Sequence, residues 1–240
     1  YDNSVFGFTG PIDGLRQNTT LTVSPGYGSN KLKFQTLKSD IRKYWRLGRD
    51  YTFAIRGFFG SSIGDNKQKF FLGGVPYLLS GGGETNGVED VSNFREVLLD
   101  TTNETLIHDL YFTEYAWPLR GARFAERFGN NTTLINLEIR FPFINYLALG
   151  FPLKMIFGNI RGHAFVDVGA AWDNVSEFQS SSWPSRYGDQ NNAYSPWITT
   201  AGLGTKINLG YFLLKIETAW DKNKNGYSKP QWYFSLGPDW

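Results

Sequence analysis

Polar and apolar side chains alternate in the middle of the chain, and this alternation limits what the chain can fold into. From Leu134 to Phe143 the odd-numbered residues are apolar, whereas the even-numbered ones include Asn136, Glu138 and Arg140. A repeat of two residues is the period of a β-strand, in which successive side chains point to opposite faces. The segment is therefore predicted to be a strand with one apolar face and one polar or ionic face.

The same alternation recurs towards the end of the chain, over 203–209, 212–220 and 232–240. In the last of these segments four apolar residues share one face: Trp232, Phe234, Leu236 and Trp240. Alternating segments of about ten residues are typical of transmembrane β-barrels. The strands of a soluble β-sandwich also alternate polar and apolar side chains when one face of the sheet is exposed to solvent. The nearly unbroken Phe, Ile, Leu and Trp face favours the membrane barrel.

The alternation and the turn residues together predict the order of the strands. Eight strands are expected, at about 15–25, 31–45, 49–61, 132–144, 155–171, 196–209, 211–221 and 230–240, with a remnant of a ninth before Gly10. The connections alternate in length, because 209–211 is a tight turn whereas 62–131 and 172–195 are long and polar. Short turns at one rim and long loops at the other are typical of outer-membrane barrels. We therefore predict an all-β fold, a transmembrane antiparallel β-barrel.

The composition excludes several classes of protein. The chain of 240 residues is 41% hydrophobic and 19% charged, which argues against disorder, but it contains no apolar run long enough for a membrane-spanning helix. Aromatic residues make up 17% of the chain, as expected of strands and of the aromatic girdles of barrels. The absence of Cys excludes disulfides and thiolate metal ligands, and a net charge of +2 gives no reason to expect a nucleic-acid partner.

One motif invites comparison with hydrolases. Gly60-Ser61-Ser62-Ile63-Gly64 matches the Gly-x-Ser-x-Gly pattern, which requires a strand-to-helix turn and a histidine base. No helical periodicity follows the motif, and His108 and His163 are the only histidines. We interpret the motif as the start of a loop and His163 as an ordinary histidine of the wall or rim. We therefore expect that the chain is not an enzyme.

A second motif imitates a metal site. Residues 221–226 match the first half of a calcium-binding loop, which supplies oxygen ligands at alternate positions. The twelfth position of such a loop requires a bidentate Glu, but here it is Trp232. We therefore predict a polar hairpin turn, and we expect neither a metal nor another cofactor.

Several short segments carry a resemblance to a known family. In chain order they are Pro118–Phe124, Phe128–Asn130, Asn136–Pro142, Phe165–Gly169, Gly202–Gly204, Leu213–Glu217 and Tyr233–Trp240. In their order and spacing they resemble the bacterial surface antigen family of outer-membrane barrels, the superfamily that includes BamA and the two-partner-secretion transporters. The resemblance extends from about Gly14 to Trp240. It implies the outer membrane of a Gram-negative-type bacterium as the location.

The resemblance also implies a function and its partners. Barrels of this family have about sixteen strands, within the range known for outer-membrane barrels, and their first and last strands meet at a weak lateral seam. The last strand, with Phe234, Leu236, Gly237 and Trp240, would form one side of the seam, serve as the C-terminal assembly signal and offer unpaired backbone groups to an incoming strand. The implied partners are the lipid bilayer and β-barrel or secreted client proteins. The expected function is the assembly or translocation of those clients.

In the resembled family, the loop that corresponds to 62–131 folds back into the barrel lumen. The resemblance implies that Arg120 and Gly121 carry the loop's motif and that Arg120 contacts Asp167 on the inner wall. The alternation is consistent with this, because Phe165, Asp167 and Gly169 share one face of their strand. The same inner wall is expected to include Glu138 and Arg140. The alternative is that Arg120 and Asp167 are solvated lumen residues that never meet.

Two further expectations concern how the loop fits. Gly169 would leave room for the loop backbone to approach the wall. The aromatic residue that usually follows the Arg-Gly pair is replaced by Ala122, and Phe124 stands two residues later. This departure leaves open how the tip of the loop packs.

Eight strands are only half of such a barrel. The chain begins at Tyr1 without a basic and apolar leader, so we expect the other half, and further periplasmic domains, in upstream sequence or in a separate chain. Closure by the eight strands alone is disfavoured, because side chains fill an eight-stranded barrel and leave no room for a loop. A passive or anchoring barrel that carries an upstream enzyme or binding domain remains the alternative function.

Overall fold

The structure is a computed structural model that describes residues 1–7, 9–27, 32–75, 79–82, 113–116, 118–123, 125–149, 155–179, 196–209, 212–223 and 226–237. Within these ranges the chain forms fourteen strands and one short 3₁₀ helix, Val175–Gln179. No helix of the described residues is long and apolar enough to cross a membrane. The prediction of an all-β fold is confirmed.

The strands follow one another along the chain with few interruptions. In chain order they are β1 (Val5–Gly7), β2 (Gly10–Pro25), β3 (Lys33–Leu47), β4 (Tyr51–Gly64), β5 (Lys69–Leu72), β6 (Leu79–Gly82), β7 (Thr113–Ala116), β8 (Arg127–Gly129), β9 (Asn131–Leu149), β10 (Met155–Trp172), β11 (Ile198–Asn208), β12 (Leu213–Asn223), β13 (Gly226–Tyr227) and β14 (Gln231–Leu236).

Eleven strands form the main sheet, which we call the wall. Its order is β1-β2-β3-β4-β9-β10-β11-β12-β14-β6, with β13 paired to β12, and all its neighbouring strands are antiparallel. Because β1 and β6 lie at opposite ends of this order, the wall does not close on itself. The eight predicted strands correspond to β2, β3, β4, β9, β10, β11, β12 and β14, and the predicted remnant before Gly10 is β1.

Successive wall strands are antiparallel, so their connections alternate between two rims. The short-turn rim carries 8–9, 48–50, 150–154 and 209–212, and the long-loop rim carries 26–32, 65–130, 173–197 and 224–230. The predicted polar hairpin is confirmed, since β12 and β13 pair Lys222 with Tyr227 and Asn223 with Gly226. The interpretation of 60–64 as the start of a loop is wrong, because β4 continues to Gly64.

The side chain of Ser62 shows why β4 continues through the serine motif. Its Oγ lies 3.0 Å from Thr36 Oγ1 on β3 and accepts the backbone N–H of Gln68 at 2.8 Å. Ser61 Oγ donates to Asn131 Oδ1 on β9 at 2.7 Å. Both serines therefore bind neighbouring parts of the wall, and no strand-to-helix turn is present at this motif.

The predicted alternation is visible in the burial of β9. Five residues at even positions are buried: Thr132, Leu134, Asn136, Glu138 and Arg140. Between them, Ile135 and Ile139 point the other way and are 40% and 42% exposed. The polar face is therefore the covered inner face of the wall, and the apolar face points outward, as in barrels that contact lipid.

The segment between β4 and β9 covers the inner face of the wall. It contains a small sheet of order β7-β5-β8. An apolar cluster joins this segment to the wall, and its members are Leu72, Ala116, Leu119, Ala122, Leu134, Ala171 and Ile198. The first four belong to the segment and the last three to β9, β10 and β11. Burial of these side chains stabilises the placement of the segment inside the wall.

Gly169 provides space for this contact, although not in the way the sequence suggested. A Cβ atom on Gly169 would lie 3.0 Å from Cδ2 of Leu72. The glycine therefore accommodates a side chain of β5, whereas we expected it to accommodate the loop backbone. Gly60 does the same for Phe70, whose Cε1 would lie 2.6 Å from an added Cβ.

The last wall strand differs from its prediction in two respects. β14 ends at Leu236, and residues 238–240, including Trp240, lie outside the described residues. The prediction that the outer edge of this strand offers unpaired backbone groups is wrong for Gln231–Phe234, which pair with β6. Free N–H and C=O groups at a sheet edge are costly in lipid. Here a strand from the loop segment covers them.

Candidate functional site

The site centres on the tip of the loop segment, where the backbone around Arg120 is held on both sides. Leu119 and Gly74 exchange two backbone hydrogen bonds of 2.9 and 3.1 Å. The Asn136 side chain donates to the carbonyl of Pro118 at 2.8 Å. Gly121 follows with a φ of +88°, a conformation that favours glycine. These contacts orient the Arg120 side chain towards the wall.

Arg120 and Asp167 form a two-pronged ion pair. Nε donates to Oδ2 and Nη2 donates to Oδ1, both at 2.8 Å, and the backbone N–H of Arg120 adds a bond of 3.1 Å to Oδ2. Both residues are buried, with exposed fractions of 1% and 0%. This geometry fits a guanidinium and a carboxylate, and a lysine cannot reproduce it.

The same guanidinium contacts two more carboxylates and a ring. Its Nη1 donates to Glu138 at 3.1 Å and to Glu217 at 3.0 Å. Its central carbon lies 3.5 Å from the centroid of the Phe165 ring, a cation–π contact. Burial by itself would lower the pKa of Arg120, but Asp167, Glu217 and Glu138 hold it above its ordinary value. The group therefore stays charged inside the wall.

Further cations compensate these carboxylates. Glu138 Oε1 accepts hydrogen bonds from Nε of Arg140 at 2.7 Å and from Nζ of Lys206. Glu217 Oε1 lies 2.9 Å from Nε2 of His163. We call this set the Arg120 network; its members are Arg120, Arg140, Lys206, His163, Asp167, Glu138 and Glu217. Its three permanent cations balance its three carboxylates when His163 is neutral.

The network fixes position more than it adds stability. Charged groups lose hydration when they are buried, and their attraction only roughly offsets that loss. Removal of one partner leaves another charge uncompensated and costs about 3 to 5 kcal/mol. The network therefore raises the free energy of every arrangement in which Arg120 leaves the wall.

A second contact joins the loop tip to the last wall strand. The backbone N–H of Gly121 donates to the hydroxyl of Tyr233 at 2.9 Å. That hydroxyl in turn donates to the side chain of Gln231. The loop segment therefore contacts β14 twice, through Gly121 on its inner face and through β6 along its edge.

The other predicted site residues lie at separate places. Phe234 and Leu236 point outward and are 37% and 47% exposed, and the N–H of Gly237 donates to the carbonyl of Leu213 at 3.1 Å. They do not contribute to the Arg120 network. Phe124 and Trp240 lie outside the described residues.

Sequence reasoning missed four residues of the site: Lys206, Glu217, His163 and Tyr233. Alternation placed the first two on polar faces, but it could not show that they meet Glu138 and Arg120. His163 does lie on the wall, yet it is fully buried beside Glu217, and we had interpreted it as ordinary.

A signal for His163 was available in the neighbouring strand. A Cβ on Gly204 would lie 2.5 Å from Cε1 of His163, and one on Gly202 would lie 2.2 Å from Cζ of Phe165. The two glycines of β11 therefore make room for two rings of β10. The spacing of the Gly-x-Gly motif matches that of the rings across the pair of strands.

The arrangement has no obvious reactive group. Within the described ranges, no group of three His, Cys, Asp or Glu side chains could hold a metal ion. The carboxylates of the network are each bound by cations, as a structural network requires. What the site can do chemically is hold the loop tip against β10, β12 and β14.

Comparison with known structures supports the fold. Thirty-nine chains match, and one of them is BamA from Haemophilus ducreyi lacking POTRA domains 1–3. The TM-score is 0.50 and the identity 13%, over 99% of this chain and 41% of that one. This chain thus spans less than half the length of that BamA chain, and the likeness concerns the fold alone. No curated protein matches this chain.

Comparison with family models gives a match along nearly the whole chain. The model of the Omp85 superfamily domain matches residues 2–240. This agrees with the resemblance carried by the Arg-Gly segment and by the segments around Asp167 and β14. The chain therefore belongs to the Omp85 superfamily and is part of a bacterial outer-membrane β-barrel.

Proposed function

We propose that this chain is the C-terminal half of a barrel that inserts or translocates β-rich client proteins. The family match supports protein insertion or translocation at the outer membrane for the family as a whole. The observation that carries the proposal for this chain is the hydrogen bond between Gly121 and Tyr233. It joins the loop held by the Arg120 network to the strand at the proposed lateral seam.

The seam strand has two different edges. One edge of β14 pairs with β12 over six residues, whereas the other pairs with β6 over four. A strand edge can accept a strand from another protein through backbone hydrogen bonds. A client strand would bind β14 by taking the place of β6. The energy for insertion would come from client folding and from burial of apolar surface in lipid.

The Arg120 network links the replacement of β6 by a client strand to the loop. Arg120 binds Glu217 on β12, and its neighbour Gly121 binds Tyr233 on β14. The neighbouring wall strands β12 and β14 therefore contact adjacent residues of one loop. Displacement of β6 would act on a segment whose other end stays fixed at Asp167. In this role the loop holds β14 in place while its outer edge changes partner.

The second candidate is a passive or anchoring barrel for an upstream enzyme or binding domain. The apolar cluster around Leu72, Leu119 and Leu134 favours it, because that cluster packs the loop segment against β9, β10 and β11. A loop packed in this way suits a structural barrel as well as an insertase. The two functions differ in whether the edge of β14 must open.

A disulfide between β6 and β14 tests the seam. In the antiparallel register Gly81 faces Trp232, and cross-strand Cβ atoms lie about 4.5 to 5.5 Å apart, close enough for a bridge after a small adjustment. Residues 1–240 contain no Cys, so within them the double variant Gly81→Cys/Trp232→Cys introduces a single possible bridge. The full-length protein is reconstituted in liposomes, and folding of a β-barrel client is followed with and without reductant.

A matched control links the same residue, Trp232, to the strand on the other side of β14. Trp232 also faces Thr218 on β12, so Thr218→Cys/Trp232→Cys links two strands that remain paired. We expect the β6 bridge to stop client folding until it is reduced, and the β12 bridge to have little effect. Equal client folding with both oxidised variants would exclude the seam and favour the anchoring barrel.

A further inference from the structure

A pocket of about 150 Å³ opens at the short-turn rim, away from the Arg120–Asp167 pair. The turns before β2 and before β4 and the middle parts of β9 and β10 surround it. Four arginines line it, Arg46, Arg49, Arg140 and Arg161, and Asp50 is the one acidic residue among its described lining residues. Nothing in the Arg120 network explains why the other three arginines gather here.

The pocket keeps an excess of positive charge after its internal pairs are counted. Arg140 is bound by Glu138 at 2.7 Å and belongs to the balanced network. Arg161 has Asp50 as its ion-pair partner at 3.7 Å. For Arg46 and Arg49 no carboxylate of the described chain lies within ion-pair distance. Two guanidinium charges are therefore available to a ligand.

Backbone carbonyls hold three of the four guanidinium groups in place, those of Arg46, Arg140 and Arg161. Arg46 donates to the carbonyls of Gly48 and Arg49 at 3.1 and 3.3 Å. Arg161 donates to the carbonyl of Asp50, and Arg140 donates to that of Pro11 at 2.7 Å. These acceptors are neutral, so they orient the arginines without cancelling their charge. These three residues would lose little side-chain entropy when an anion binds.

The volume and the chemistry of the pocket limit the ligand. Water occupies about 30 Å³ per molecule, so the pocket has room for about five waters, or for one carboxylate or phosphate group. The planar guanidinium matches both groups with paired hydrogen bonds.

The position of the pocket favours a polypeptide as the source of that group. Short turns of outer-membrane barrels face the periplasm. Arg140 and Thr52, which line the pocket, are buried on the inner face of the wall and do not face lipid. A lipid headgroup would have to leave the bilayer to reach them. An acidic side chain that enters from the periplasmic side meets no such barrier.

We propose that this pocket binds a carboxylate side chain of an acidic polypeptide segment at the periplasmic rim. The segment belongs to an arriving client, so this inference rests on the proposed function. Arg46 and Arg49 attract the carboxylate by their positive charge, and Arg161 completes the lining of the pocket. The proposal does not depend on the seam, because the described lining residues of the pocket include none from β6 or β14.

The test measures peptide binding to the full-length protein in detergent. The probe is a fluorescent decapeptide of alternating Glu and Gly, and the control peptide has Gln in place of Glu. The variant Arg46→Gln/Arg49→Gln should weaken binding of the Glu peptide about tenfold or more, since charge-assisted hydrogen bonds are lost. Added salt should weaken binding to the unaltered protein as well.

A control variant, Arg16→Gln/Lys43→Gln, removes the same charge from β2 and β3 outside the pocket, and it should bind the Glu peptide as the unaltered protein does. Equal loss in both variants, or equal binding of the Gln peptide, would overturn the proposal. A further arm uses phosphatidylglycerol vesicles. If the pocket variant binds these vesicles more weakly but binds the Glu peptide as before, the ligand is a lipid phosphate and the proposal is wrong.

Discussion

The backbone N–H of Gly121 donates a hydrogen bond of 2.9 Å to the hydroxyl of Tyr233. Gly121 belongs to the loop that follows β4, whereas Tyr233 belongs to the last strand of the wall, 112 residues later. The neighbouring Arg120 binds Asp167, Glu138 and Glu217 on three other strands. Two successive loop residues therefore contact four wall strands.

Loss of the Tyr233 hydroxyl should loosen the loop tip. In Tyr233→Phe the buried N–H of Gly121 has no partner, and an unsatisfied buried donor costs about 1 to 3 kcal/mol. We expect a lower midpoint of thermal unfolding and faster proteolysis within the loop. Tyr227→Phe is the control, because Tyr227 is 70% exposed. Identical behaviour of the two variants would contradict a role for this hydrogen bond.

A methyl group at Gly204 should disturb the network from the neighbouring strand. The added Cβ would lie 2.5 Å from Cε1 of His163 and 2.8 Å from Cγ of Glu217. Overpacking of this kind costs about 1 to 3 kcal/mol, so Gly204→Ala should unfold at a lower urea concentration. Gly57→Ala is the matched control, since an added Cβ there meets no atom within 4 Å. A control that is destabilised equally would show that general strand effects, and not His163, are responsible.

The strands could be predicted from the sequence because their cause is local. In β9 each inward residue is followed by an outward one, and Glu138 and Ile139 show this directly by their burial. The same rule placed Lys206 and Glu217 on polar faces. It could not show that Lys206 binds Glu138, because that contact joins residues 68 positions apart through strand register.

The pairing of β6 could not be predicted for a related reason. Residues Leu79–Gly82 contain three polar or glycine positions in a row and no alternation that would mark a strand. Their pairing with β14 depends on the free edge of that strand, which is a property of the whole wall. A sheet edge that forms through long-range strand pairing leaves no local pattern in the sequence.

A charge on the outward face should be costly if that face contacts lipid. Ile139 is 42% exposed and lies near the middle of β9. A lysine at the midplane of a membrane barrel costs about 2 to 4 kcal/mol. Ile139→Lys should therefore reduce folding into liposomes, whereas Val175→Lys should not, because Val175 is 75% exposed and lies on the 3₁₀ helix outside the wall. Equal folding of the two variants would contradict the membrane-facing assignment.

Reversal of charge at Arg120 and Asp167 tests whether their ion pair is required for client insertion. Arg120→Asp places a fourth carboxylate beside Asp167, Glu138 and Glu217, and Asp167→Arg alone leaves two guanidinium groups together. Each single variant of the full-length protein should insert client proteins poorly. The double variant restores one opposite-charge pair and should recover part of the activity, with its folding checked by the heat-dependent shift in electrophoretic mobility.

Client insertion by Arg120→Asp, compared with the double variant in the same liposomes, is the most direct measurement of the central claim, that the ion pair fixes the loop for function. The expected result is a strong loss in the single variant and partial recovery in the double. Full activity of a folded Arg120→Asp protein would contradict the claim.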